Sequence, residues 1–171
     1  MTPNKGAPES CKKMVVVGVG NMLTSSDPHT ILVTHSLGSC IGVVAYDPVA
    51  HVGGMLHAML PSSAANHDRA VARPFVFVDT GLPALFNAIY GLGGNKDRLL
   101  VTITGGAQFL TRSPIFNIGP RNVASVTDLL LSNGIIAHLV ECGGQYSRTL
   151  RLDLASGGLI LDAPGCQPRH L

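Results

Sequence analysis

The chain has 171 residues, enough for one domain with a substantial core, and 46% of them are hydrophobic against 13% charged, which excludes a largely disordered protein. A net charge of +2, with no Lys/Arg cluster and no aromatic stacking platform, argues against a nucleic-acid partner. No apolar run approaches the ~20 residues of a membrane span, and the polar start around Pro3, Lys5, Pro8, Lys12 and Lys13 lacks the apolar stretch of a secretory leader, so the expectation is a cytoplasmic protein without membrane insertion.

Residues 1–13 read as a flexible N-terminal arm, residues 14–162 as a single domain and residues 163–171 as a C-terminal tail. Within the domain, short β-rich runs are expected over 14–19, 30–34, 41–46 and 52–59, separated by turn chemistry such as Ser25-Ser26-Asp27-Pro28 and Asp47-Pro48. Asp47-Pro48-Val49-Ala50-His51 reads as a short connection between two antiparallel neighbours, which sets the strand beginning at Cys40 beside the strand containing His57.

The polar segment from Pro61 to Pro74 reads as a loop of the length that often serves function. Asp79 stands where a helix N-cap belongs, ahead of Leu82, Leu85, Phe86, Ile89 and Tyr90 at i, i+3, i+4 spacing, with Pro83 in the first turn and Gly91 past the end. A strand is expected over 99–104, stopped by Gly105-Gly106. A second helix starts near Gly119-Pro120-Arg121-Asn122, buries Val123, Val126, Leu129 and Leu130, and stops at Asn133-Gly134. The final strands fall over 135–140, 149–154 and 158–161, the last two joined by the hairpin-like Ala155-Ser156-Gly157-Gly158. Four strands arrive before any helix, so a doubly wound parallel sheet fits poorly. The expected class is α+β, a β-sandwich-like, mostly antiparallel core flanked by two main helices.

Four cysteines, Cys11, Cys40, Cys142 and Cys166, form no CxxC and no Cys/His ligand spacing, so they read as free thiols with no metal site. Only Cys40 has a chemical context. Gly38-Ser39 before it forms a turn whose backbone N–H groups, with that of Cys40, could hold an oxyanion. His57, between Leu56 and Ala58, offers an imidazole that could pair with Cys40 as thiolate and imidazolium and pass a proton to the leaving group, with His35 as the rival base nearer in sequence. Thr34 could orient that imidazole through its hydroxyl. Taken singly, each of these is more often an ordinary core residue: a small buried thiol, a hydrogen-bonded histidine, a β-branched strand position. Gly18-Val19-Gly20 resembles the start of a dinucleotide fingerprint but lacks its third glycine and the helix that must follow.

The ordered set Thr34, Leu37-Gly38-Ser39-Cys40, Asp47-Pro48, Gly53-Gly54-Met55, His57 and Met59-Leu60-Pro61 resembles the chemoreceptor glutamine deamidase family, CheD. The likeness continues through Asp79, Gly105-Gly106-Ala107, Asn117-Ile118-Gly119, Arg121-Asn122-Val123 and Gly143-Gly144 with Arg148, spanning nearly everything from Met14 to Leu161. The resemblance implies hydrolysis of selected glutamine side chains on methyl-accepting chemotaxis receptors to glutamate, without cofactor or metal, and a fold shared with a toxin deamidase domain. It puts the nucleophile on Cys40, the base on His57 and the third member on Thr34. It also implies chemoreceptor cytoplasmic helices as protein substrate and the phosphatase CheC as a possible partner. Two alternatives use the same chain: methyl-ester hydrolysis by the same thiol, or a CheC-binding scaffold. The chain departs from the family pattern at His35-Ser36, Gly81, Ser147 and the polar segment 62–73, none of which removes a member of the catalytic set.

Overall fold

A computed structural model of the chain describes residues 12–108 and 117–171. Ten strands form two five-stranded sheets among these residues. The first sheet has the order β1 (Lys13–Val16), β3 (Thr30–Leu37), β8 (Arg148–Asp153), β9 (Leu159–Asp162), β10 (Arg169–His170). The second has the order β2 (Asn21–Ser25), β5 (Val52–Ala58), β4 (Ile41–Asp47), β6 (Leu100–Gly105), β7 (Leu139–Cys142). Pairing is antiparallel except between β1 and β3 and between β6 and β7. Three α-helices accompany them, α1 (His67–Ala72), α2 (Val78–Gly91) and α3 (Ile118–Ser132). None is long and apolar enough to cross a membrane.

Period-2 alternation builds two cores from one sheet. Ile41, Val43 and Ala45 of β4, with Val52, Leu56 and Ala58 of β5, meet Leu82, Leu85 and Ile89 of α2 and Val126 and Leu130 of α3. The alternate residues, Val44, Tyr46 and Met55, turn the other way and meet Leu32, Leu150, Leu152 and Leu161 of the first sheet. Helices α2 and α3 thus lie against one face of the second sheet, and the first sheet packs against its other face. All seven residues of β4, and all seven of β5, are buried, as a strand covered on both faces requires.

The Asp47-Pro48 connection forms as expected, and it sets the register of the whole site. Asp47 is fully buried and accepts hydrogen bonds from the amides of Val49, Ala50 and Asn95 at 2.9, 3.1 and 2.8 Å and from Arg98 Nη2 at 2.7 Å. The carboxylate thereby closes the turn, and β4 and β5 pair from Asp47↔Val52 down to Gly42↔His57 and Ile41↔Ala58.

Several expectations change. β2 has no counterpart in the sequence reading, because Asn21-Met22-Leu23-Thr24-Ser25 is an edge strand with one face in solvent and little apolar signal. Segment 61–74 is not all loop: it holds α1, and a 3-10 turn, Pro74–Val76, begins at its last residue, with the Val76 carbonyl accepting from the amides of Met59 and Leu60 at 2.8 and 3.0 Å. Asp79 lies inside the first turn of α2 rather than at its cap, and its Oδ2 accepts from Ser62 Oγ, Ser63 N and Ser63 Oγ at 3.0, 2.7 and 3.0 Å. The strand expected over 135–140 starts only at Leu139. The C-terminal tail is tied down, since Arg169 and His170 pair with Leu161 and Ile160 and Arg169 reaches Glu141 of the other sheet at 3.0 Å. Of the expected arm, residues 1–11, Cys11 included, lie outside the described residues, whereas Lys12 bonds Asp153 at 2.5 Å and Lys13 opens β1.

Candidate active site

Thr34 and Leu37 are three residues apart on β3, an odd spacing that regular alternation would place on opposite faces, yet both are fully buried. A β-bulge reconciles the two. Between Thr34↔Leu150 and Leu37↔Arg148 the strand carries one residue more than β8, both His35 and Ser36 are exposed, and Ser36 takes φ 56°. His35-Ser36 is therefore the hinge that keeps Thr34 facing inward while aiming the chain into the turn Gly38-Ser39-Cys40. It also settles which histidine faces the site: His35 sits outside, 3.4 Å from the Thr149 hydroxyl, and His57 sits inside.

His57 belongs to the second sheet and Thr34 to the first. Thr34 Oγ1 lies 2.7 Å from His57 Nδ1 and 2.8 Å from the Val17 carbonyl oxygen. A carbonyl can only accept, so the single hydroxyl hydrogen goes to Val17 and the hydroxyl oxygen must accept from His57 Nδ1–H. That assignment leaves Nε2 without a hydrogen. Nε2 is buried and has no hydrogen-bond partner among the described residues, the Cys40 thiol included. The imidazole is thus held by its Nδ1 side and presents a bare lone pair on the other.

Cys40 precedes Ile41 at the head of β4 and is half-buried against the cluster between the sheets, the side His57 also faces. Since Ile41 pairs with Ala58 and Gly42 with His57, Cys40, one residue ahead of β4, stands diagonal to His57, a relation with backbones about 7–8 Å apart and Cβ atoms somewhat closer. Burial pushes the Cys40 thiol up from its ordinary value, an effect its own backbone amide partly offsets. Burial also pulls the His57 pKa down to about 4. Both effects favour the neutral forms, a thiol and an unprotonated imidazole. The third member, a hydroxyl, brings no negative charge to hold an imidazolium.

The turn bearing Cys40 is braced from three sides. Gly38 O accepts from Ala107 N at 2.8 Å, Cys40 O from Gly106 N at 2.8 Å, and Ser39 O from Asn122 Nδ2 at 2.9 Å. Gly105 makes this approach possible: its φ is 105°, and a Cβ there would come within 2.4 Å of Cys40 O. Gly38 and Ser39, expected to shape an oxyanion site, therefore lie in a turn whose carbonyls are all engaged. Asn122 of α3 was legible only as one letter of a longer pattern. Its signal was available, since a lone amide occupies the buried stripe Gly119, Asn122, Val126, Leu130.

Comparisons with known proteins place the chain in a family. A family model described as CheD chemotactic sensory transduction matches residues 59–163, a span that begins just after His57. Curated relatives match over most of the chain. A probable chemoreceptor glutamine deamidase CheD 2 of Anaeromyxobacter dehalogenans is 44% identical over 88% of this chain and 94% of its own length. A probable chemoreceptor glutamine deamidase CheD of Solibacter usitatus is 40% identical over 91% of this chain and 92% of its own. One from Syntrophus aciditrophicus, CheD 1, is 38% identical over 92% and 98%.

Proposed function

The chain belongs to the CheD family, and from that membership we propose that it is a protein-glutamine deamidase that converts glutamine side chains of chemotaxis receptors to glutamate in the cytoplasm. The observation that carries the chemistry is the lock of His57 Nδ1 on Thr34, which aims the bare Nε2 to the side of the sheet that Cys40 occupies.

With thiol and imidazole both neutral, His57 acts as general base. The Cys40 proton passes to Nε2 as the sulfur attacks the carboxamide carbon, and the C=O electrons move onto oxygen. The N–H groups around Ser39 and Cys40 hold that oxyanion. Collapse breaks the C–N bond, His57 returns the proton to the departing nitrogen, and ammonia leaves a thioester. Water then gives a proton to His57 and adds to the carbonyl. The C–S bond breaks, the thiol recovers its proton from His57, and the glutamic acid side chain loses its carboxyl proton to solvent or to the released ammonia. A positioned acid–base residue contributes about 10²–10⁴-fold. The fold expected from the resemblance, a sandwich like that of a toxin deamidase domain, belongs to the same proposal, as does docking of a CheC partner.

The test incubates a receptor cytoplasmic fragment, in unmodified and methylated forms, with the wild type and Cys40→Ala. Ammonia release with glutamine-to-glutamate conversion mapped by peptide mass spectrometry, absent in the variant, is the expected result. Methanol release without ammonia would assign the site to esters instead.

A further inference from the structure

We propose that Asn122 is the positioning residue that aims the backbone amide of Cys40 at the oxyanion, an inference that rests on the deamidase reading above. Across a trans peptide the C=O of one residue and the N–H of the next point in opposite directions, and the described chain contains no cis peptide. Fixing the Ser39 carbonyl therefore fixes the Cys40 amide. The Gly38 and Cys40 carbonyls are held by the main-chain amides of Ala107 and Gly106, but the Ser39 carbonyl is held by a side chain, Asn122 Nδ2 at 2.9 Å. The direction of the Cys40 N–H is thus the one element of the turn set by a replaceable group. That amide has no carbonyl acceptor among the described residues, and it belongs to the same residue as the sulfur, so it lies on the side where the tetrahedral oxygen forms.

The same NH2 group spans both halves of the site. Its second hydrogen goes to the Met59 carbonyl oxygen at 3.0 Å, just beyond β5, which carries His57. Two carbonyl partners leave no choice of amide orientation, because only the NH2 face can donate to both. Oδ1 is then buried without a partner among the described residues, although Asn122 is wholly enclosed. A group kept only to fasten α3 to the sheet gains nothing from an amide that leaves an acceptor unsatisfied. One turn along α3, Ser125 Oγ makes a simple fastening of that kind, donating to the Pro61 carbonyl at 2.9 Å with no link to the Cys40 turn.

The pair gives a test that separates aiming from fastening. Deamidation of a receptor fragment and alkylation of Cys40 by iodoacetamide are measured side by side for wild type, Asn122→Ala and Ser125→Ala. Alkylation needs the sulfur nucleophile but forms no oxyanion. Asn122→Ala is expected to lose about 10²-fold in kcat with KM little changed, the loss typical of a removed oxyanion donor, while its alkylation rate stays within about threefold of wild type. Ser125→Ala keeps both rates. Should Asn122→Ala fail to fold, Asn122→Asp, which keeps the shape but replaces the donor by an acceptor, carries the comparison. Equal losses of deamidation and alkylation, equal losses in the two alanine variants, or unchanged kcat would each overturn the assignment. A wild type that alkylates normally yet deamidates nothing would instead overturn the reading on which it rests.

Discussion

Thr34 Oγ1 and His57 Nδ1 lie 2.7 Å apart across the gap between two sheets, and the Thr34 hydrogen is already committed to Val17 O. This one contact selects the imidazole tautomer, and with it the nitrogen left to act as base in the proposed mechanism. Thr34→Val keeps the shape of the side chain but leaves His57 Nδ1 and the Val17 carbonyl unpaired in the interior. We expect kcat to fall about 10²-fold and stability to fall by about 1–3 kcal/mol. Thr34→Ser should restore most of both. Steady-state kinetics and chemical denaturation of the two variants check this.

His57 titrates low because it is buried, with a pKa near 4 against an ordinary 6.5. The acid limb of kcat/KM should therefore lie near pH 4 rather than at 6.5. Stability carries the same signature. The unfolded state takes up the proton first as pH drops below 6.5, so the native state loses stability between there and about 4, at up to about 1.4 kcal/mol per pH unit from this one group. A pH series of denaturation midpoints should show that slope, flattened in His57→Gln.

Asp47 acts in a separate pH window. The Arg98 guanidinium, with the amides of Ala50, Asn95 and Val49, holds its carboxyl well below the usual carboxylate range. Its contribution is complete above the ordinary value of 3.8 and is lost only as pH falls further below it. Asp47→Asn should cost about 2 kcal/mol or more while leaving the turnover of the folded fraction near wild type, because the turn sets strand register and touches no reacting atom. Thermal melts together with active-site titration separate the two effects.

Gly105→Ala should be severe for a different reason. The new Cβ would sit 2.4 Å from the Cys40 carbonyl oxygen at a φ of 105°, so the turn carrying the nucleophile must shift. We expect at least about 10²-fold loss of activity with slowed alkylation of Cys40, which distinguishes this variant from Asn122→Ala.

The β4–β5 hairpin was readable because Asp47-Pro48 is strong turn chemistry between two apolar runs, and the helices because their apolar stripes keep a 3.6-residue period. What the sequence did not reveal depends on pairing across the fold. The bulge at His35-Ser36 has no composition cue, since only the partner strand defines the extra residue. β2 and β10 are edge strands whose short, half-exposed sequences look like connections. The ordered motif pointed to Thr34 and His57 together, and they meet at 2.7 Å, but the thiolate–imidazolium pair expected from the sequence gives way to neutral forms favoured by burial, which no spacing reports. Asn122 is polar at a core position of α3, and only the fold shows which carbonyls it serves.

Capture of the acyl-enzyme tests the central claim most directly. Wild type mixed with a receptor fragment and quenched in acid should yield a covalent species of enzyme plus substrate less ammonia, joined at Cys40, cleaved by hydroxylamine, and accumulating ahead of glutamate. Glutamine converted to glutamate by Cys40→Ala at the wild-type rate, with no adduct on Cys40 in the wild type, would contradict it.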